Sequence, residues 1–249
     1  CGDPRKCEHH NAGHAANLQL ALAYSCNSYF LQVFRMAIDN PKYSSAKAGY
    51  VKWKEYMNAF GFGRKLGVDL PSENKANIPD TAQYNKDFGN PRYWNSCYML
   101  TLGIGQDRMT ATPLQLANSM ALIANDGYYY TPHFVDSIEE EDQEDKIELA
   151  KFRTKQGVTK ISSDIFKVIK EGMHDVTVYG TAASVKLPGH EYCAKTGTAQ
   201  NPHGQDHSWF ICFAPFDKPK IAMCVIVENA IIGLTVALKL CILLIGSVK

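Results

Sequence analysis

Three strand-length runs in the last third of the chain constrain its fold more than anything else in it. Tyr192–Gln200, Ser208–Ala214 and Lys220–Val227 read as consecutive strands. Pro215-Phe216-Asp217-Lys218-Pro219 is a tight turn between the last two, which predicts an antiparallel hairpin. The residues upstream carry helical periodicity instead. Asn17 is suited to cap a helix through Leu18, Leu20 and Leu22, and Tyr29, Phe30, Val33 and Met36 continue at helical spacing beyond a polar break at Ser25-Cys26-Asn27. Tyr50, Trp53, Tyr56 and Phe60 repeat the period until Gly61 and Gly63 stop it. Thr112-Pro113 opens another helix, with Leu116, Met120 and Ile123 as its buried face and the Asn125-Asp126-Gly127 turn at its end. Ser162 or Ser163 opens one more, through Ile165, Phe166, Ile169 and Met173. Helices followed by a meander predict an α+β fold, an antiparallel sheet flanked by helices with a helical subdomain.

The segments between are less regular. Pro71–Arg92 reads as a long surface connection. Tyr128–Val135 reads as a strand paired with Ile147–Arg153, and the acidic run Glu139–Asp145 as the solvated tip of that hairpin. Ala230–Gly246 is apolar but broken by Gly233 and Lys239 and short for a membrane span, so a buried C-terminal helix is expected. The 249 residues suffice for one sizeable core. Lys and Arg total 26 against 25 Asp and Glu, so no net field favours nucleic acid or an anionic membrane. The chain starts abruptly at Cys1-Gly2-Asp3-Pro4 with no signal peptide, as an excised domain would.

Two short motifs carry chemistry. Lys195-Thr196-Gly197-Thr198 lies on the first of the three strands, and Ser25-Cys26-Asn27 lies at the helix break. Serine acyl-transfer enzymes that act on penicillin-type amides use Ser-x-Asn and Lys-Thr-Gly in that chain order. Amide acyl transfer needs a nucleophile, a proton donor for the departing amine and donors for the oxyanion. Lys195 supplies positive charge, Ser25 can relay a proton, and Asn27 offers both a donor and an acceptor to an acyl-side amide. Thr196 and Thr198 offer hydroxyls for a substrate carboxylate, and the Thr198 backbone N–H suits an oxyanion. Gly197, lacking a side chain, lets a ligand backbone approach the strand. Ser-x-Asn alone also fits a helix cap, and Lys-Thr-Gly alone also fits an edge strand with a solvent lysine.

Order and context resolve these alternatives. From about Leu18 to Asn229 the chain resembles the transpeptidase domain of class B penicillin-binding proteins. The matching stretches include Phe60-Gly61-Phe62-Gly63, Gly67-Val68-Asp69-Leu70-Pro71 and Gly103-Ile104-Gly105-Gln106. Further along they include Thr112-Pro113-Leu114-Gln115-Leu116-Ala117, Gly180-Thr181-Ala182 and Lys195-Thr196-Gly197-Thr198-Ala199-Gln200. His207-Ser208-Trp209-Phe210 is more similar to the elongation-type (penicillin-binding protein 2-like) branch, which shapes rod-like cells, than to the septal branch. His207 itself is expected to pack at a strand start.

The resemblance implies a serine β-lactamase/DD-transpeptidase-like fold and a periplasmic acyltransferase of peptidoglycan synthesis with a membrane-anchored parent. Its partners would be the D-Ala-D-Ala stem peptide, β-lactams and proteins of the cell-wall elongation machinery, and the reaction requires no cofactor. Ser25, Asn27 and Lys195 would be catalytic, and Thr196, Gly197 and Thr198 would bind substrate. The nucleophile motif Ser-x-x-Lys, which should precede Ser25, is absent. Ser44-Ser45-Ala46-Lys47 has the letters but follows the Ser-x-Asn element on an exposed-looking helix. The resemblance therefore implies a partial domain over 1–249, N-terminally truncated and inactive alone. A serine β-lactamase, a β-lactam sensor domain and a non-enzymatic scaffold are the alternatives.

Residues 1–16 stand outside the well-matched part. Cys1, Asp3, Cys7, Glu8, His9, His10 and His14 crowd them, and Cys and His with a carboxylate are zinc ligands. Asp3, Cys7, His14 and Cys26 form the candidate structural zinc set, and some elongation-type members are similar in placing a metal beside the Ser-x-Asn loop. The alternative is a Cys1–Cys7 disulfide or free thiols at a frayed terminus. Cys193, Cys212 and Cys224 lie in apolar runs and are expected to be buried thiols.

Overall fold

The computed structural model describes residues 15–88, 94–139, 142–158, 160–184 and 189–230, with residues 237, 241 and 245. Its elements run α1 (Leu18–Ala23), α2 (Asn27–Ile38), α3 (Ala46–Ala59), α4 (Thr81–Phe88), a 3-10 segment (Ser96–Ile104) and α5 (Pro113–Ala124). There follow β1 (Tyr128–Tyr130), α6 (Gln143–Ala150), a 3-10 turn (Lys151–Arg153), β2 (Lys155–Gly157) and α7 (Ser163–Val178). The chain then enters β3 (Cys193–Ala199), β4 (His207–Ala214) and β5 (Ile221–Val227). The last three form an antiparallel sheet in the order β3-β4-β5, so β3 is an edge strand among the described residues.

The sheet is packed on both faces. On one, Cys193 and Phe213 meet Met120 and Ala124 of α5 and Met173 of α7. On the other, Tyr192, Ala194, Phe210 and Cys212 pack with Ala237, Cys241 and Ile245. Those three are helical and spaced by four, the repeat that puts side chains on one face of a helix. Among the described residues no helix is long and apolar enough to cross a membrane. Burial raises the Cys193 thiol, so it behaves as packing rather than as a reactive group. Cys212 and Cys241 are also free and buried, and Cys224 is free and half-buried.

The helical part has its own core. Tyr50, Tyr84, Trp94, Phe34 and Met99 pack together between α2, α3, α4 and the 3-10 segment. The Tyr50 hydroxyl donates to the Pro79 carbonyl, and burial pushes its pKa far upward. A further cluster, Leu66, Leu122, Tyr129, Val158 and Phe166, joins α5, α7 and the β1–β2 pair.

Helix α5 starts as expected. Thr112 Oγ1 accepts from Gln115 N at 3.2 Å while Gln115 Oε1 accepts from Thr112 N at 3.0 Å, a capping box with Pro113 at the first position. Its buried face differs from the expected stripe. Leu116 and Ile123 are half-buried, and the fully buried set includes Gln115, Asn118, Ser119, Met120 and Leu122. Gln115 is buried because its amide donates to the Arg64 and Lys75 carbonyls, knitting two loops to the helix.

Three expectations fail between residues 71 and 157. The stretch read as a surface connection contains α4, whose Tyr84 is buried. Ile147–Arg153 is helix and 3-10 turn, and β1 pairs instead with Lys155–Gly157. The acidic run is no hairpin tip. Asp142 accepts from Asp145 N at 2.8 Å, and its own N–H is met by the Asp145 carboxylate, so these acids start α6.

Candidate active site

Helix α1 ends in a backbone motif that aims one side chain. Ser25 has φ 52°, the left-handed region usually left to glycine. Ser25 N donates to the Leu22 carbonyl at 3.2 Å and Cys26 N to the Ala21 carbonyl at 2.9 Å, the paired bonds of a Schellman cap. Holding a serine there costs about 1 kcal/mol, an amount the surrounding packing absorbs. The result is a sharp elbow with Ser25 at its apex. Asn27 follows as the first residue of α2, and it is exposed.

Strand β3 faces that elbow. The Lys195 ammonium donates to Ser25 Oγ, a contact between residues 170 apart in sequence, and to the Thr196 carbonyl at 2.8 Å. The loop after α7 locks the two walls together. Thr181 N donates to the Ala23 carbonyl at 2.9 Å, and Thr181 Oγ1 lies 2.8 Å from Thr196 Oγ1. A Cβ on Gly180 would lie 2.2 Å from the Ala23 carbonyl oxygen, so only glycine permits this approach. From the third side the 3-10 segment ends at Gly105, φ 74°, and turns Gln106 toward the strand, where its amide donates to the Thr198 carbonyl at 3.2 Å.

These walls enclose a cleft of about 900 Å³ lined by Ser25, Asn27, Lys195, Thr196, Gly197 and Thr198. All six residues expected from the two motifs therefore share one groove. Burial pulls the Lys195 ammonium down to about 8. Roughly a tenth of it is then neutral at pH 7, and it can both give and take a proton near neutrality. The Thr196 and Thr198 carbonyls both face away from β4. In an antiparallel ladder the N–H of a residue points the same way as its carbonyl, so the Thr198 N–H faces the cleft too. An outward N–H of that kind can donate to a ligand lying in the cleft.

Tyr24, Phe30, Gly103, Ile104, Gln106, Gly180 and Thr181 also line the cleft. They lie in stretches that resemble the family, but nothing in their residue types marks them as site residues. The Ser44–Lys47 motif is elsewhere: Ser45 caps α3, and the Lys47 ammonium donates to Asn85 at 3.4 Å. Ser72-Glu73-Asn74-Lys75 has the same spacing and also lies outside the cleft, with Glu73 accepting from the Leu66, Gly67 and Val68 amides. Nδ1 of His207 accepts from Asn229 N at 3.1 Å, which ties it to the end of β5.

Of the candidate zinc set only Cys26 lies among the described residues, and there it is disulfide-bonded. Asp3, Cys7 and His14, and the Cys1–Cys7 pairing, lie outside the described residues. Among the described residues no group of three or more His, Cys, Asp or Glu is placed to hold a metal ion.

Comparison with known proteins agrees with this arrangement. The penicillin-binding protein transpeptidase domain family model matches residues 2–237. The peptidoglycan D,D-transpeptidase MrdA of Haemophilus influenzae is 31% identical over 241 residues, covering 88% of this chain and 34% of that protein. The Acinetobacter baumannii MrdA is 32% identical over 240 residues, covering 87% and 32%. The chain thus spans about a third of the length of the curated relatives it matches. Among solved structures, Pseudomonas aeruginosa PBP2 in complex with WCK 5153 superposes with TM-score 0.72 at 27% identity, over 95% of this chain and 50% of that one. Helicobacter pylori PBP2 in complex with MreC gives 0.70 at 27% identity, over 96% and 42%. With its two motifs facing each other across one groove and residues 2–237 matched by the family model, the chain belongs to the penicillin-binding protein transpeptidase domain family, in the PBP2/MrdA-type class B branch.

Proposed function

We propose that this chain is part of a longer cell-wall enzyme and forms the substrate-gripping walls of its D,D-transpeptidase site. One observation carries the reading: the Lys195 ammonium meets Ser25 Oγ inside a cleft that also holds Asn27 and the open edge of β3. The substrate is a stem peptide ending in D-Ala-D-Ala. Its terminal carboxylate lies against the Thr196 and Thr198 hydroxyls and the positive charge of Lys195. Its acyl-side amide meets the Asn27 side chain, and its scissile carbonyl oxygen takes the Thr198 N–H.

A serine supplied from outside residues 1–249 attacks that carbonyl. The hydroxyl proton of that serine passes to the lysine of its own Ser-x-x-Lys motif, likewise outside residues 1–249, as the C–O bond forms. The C–N bond of the terminal residue then breaks, and the departing nitrogen takes a proton from Lys195 through Ser25. An amine on a neighbouring strand then displaces the serine and forms the cross-link. Penicillins acylate the same serine because their strained amide presents the same groups. The enzyme works on the outer face of the cytoplasmic membrane, in the machinery that elongates the wall. The PBP2 relative solved with MreC supports a partner of that kind.

Labelling with a fluorescent penicillin tests this. The longer protein is expected to become covalently labelled, and the 249-residue chain alone is not. Labelling of the short chain would show a nucleophile within it and refute that division. Absence of labelling in the longer protein would refute the function.

A further inference from the structure

We propose that Gln106 is a displaceable clasp that reserves the substrate-pairing edge of β3. This rests on the transpeptidase reading and adds a role for a residue that the reading does not use. β3 is an edge strand, and an edge strand recognises an extended peptide through its outward carbonyl and amide groups. Two outward carbonyls face the cleft, and side chains of the site itself occupy both. Thr196 accepts from Lys195 Nζ at 2.8 Å, and Thr198 accepts from Gln106 Nε2 at 3.2 Å. A peptide amide N–H that pairs along the open edge competes with the Gln106 amide for the Thr198 oxygen.

The position of Gln106 makes it suited to opening. Its side-chain bond is exposed to solvent, whereas its backbone is fixed by Gln106 N donating to the Thr101 carbonyl at 3.0 Å. The side chain can therefore swing without moving the loop. The same residue, with Ile104 and Thr198, lines three adjoining spaces. These are the main cleft, a polar cavity of about 410 Å³ reaching Asp107 and Asp206, and an apolar one of about 470 Å³ reaching Met109 and Trp209. The bond from Gln106 to Thr198 joins two residues that all three spaces share. Its release frees the Thr198 carbonyl for a ligand amide N–H and opens the cleft toward the polar cavity in one movement.

A neutral hydrogen bond exposed to water is worth little net, so releasing it in advance favours ligand binding by roughly two- to tenfold. The test is acylation of the longer protein and of its Gln106→Ala and Gln106→Glu variants, with dissociation constant and acylation rate constant measured separately. Two probes are compared: a penicillin with an acylamino side chain, and a β-lactam whose side chain has no amide N–H. Neither variant can donate to Thr198, so in both the preference for the amide-bearing probe, read as a ratio of dissociation constants, is expected to rise two- to tenfold. An unchanged or reduced ratio in both variants overturns the clasp, because Gln106 would then be a ligand contact or a purely structural residue. If the wild-type protein is acylated by neither probe, the transpeptidase reading falls and the clasp falls with it.

Discussion

Replacing Lys195 by Met should make the domain more stable while stopping its chemistry. The ammonium sits where burial lowers its pKa from an ordinary 10.5 to about 8. At 1.36 kcal/mol per pKa unit, the folded domain carries a penalty of about 3 kcal/mol for keeping the charge. Met fills similar space without it. Two hydrogen bonds are lost, to Ser25 Oγ and the Thr196 carbonyl, each worth about 1 kcal/mol. Both partners face the cleft, and water replaces the lysine. The balance leaves Lys195→Met about 1–2 kcal/mol more stable at pH 7. The pH dependence follows from the sign of the shift. The folded pKa lies below the unfolded one, so the penalty is fully present below pH 8, fades as pH rises toward 10.5, and is gone above it. Denaturant unfolding of wild type and variant at pH 7 and pH 10 measures both numbers. A variant more than 1 kcal/mol less stable at pH 7, or a difference that does not shrink at pH 10, refutes the account of Lys195 as a strained functional charge.

Three further outcomes are expected. Gly180→Ala drives a methyl into the Ala23 carbonyl at 2.2 Å and should destabilise by about 2 kcal/mol or more while also slowing acylation, seen as a lowered melting temperature. Gly197→Ala is the opposite case. Its Cβ would sit 3.5 Å from Trp209 Cβ, an ordinary contact, so the melting temperature should hold while penicillin affinity falls, because the crowding appears only when a ligand lies on the strand. Acylation of the longer protein should decline as pH rises through about 8, where Lys195 loses its proton, and a flat profile to pH 9.5 would count against that role.

The sheet was legible in the sequence because each strand keeps a clear run and the turn between β4 and β5 is bounded by two prolines. Helix α5 was legible through its cap. The errors have a physical pattern. Lys155-Gln156-Gly157 has no apolar residue, so nothing local marks it as a strand, and it is one because Tyr128–Tyr130 pairs with it. The acids at 142 and 145 read as solvated because their use as a capping box depends on where the chain starts to coil. In the site, Ser25, Asn27 and Lys195 were legible because motif order implied one groove. Gln106 and Thr181 were not marked as site residues, because their roles arise from contacts with Thr198 and Thr196 made only after folding. Whether Cys26 takes a disulfide or a metal is not written in its neighbours, and Asp3, Cys7 and His14 lie outside the described residues.

The most direct measurement is a double-mutant cycle on penicillin acylation of the longer protein, using Ser25→Ala, Lys195→Met and the pair. If the two side chains pass one proton, each single change should slow acylation by about 10²-fold or more, and the double change should cost little beyond the worse single one. Losses that multiply would mean that the two residues act independently, and the contact between them would then be no relay.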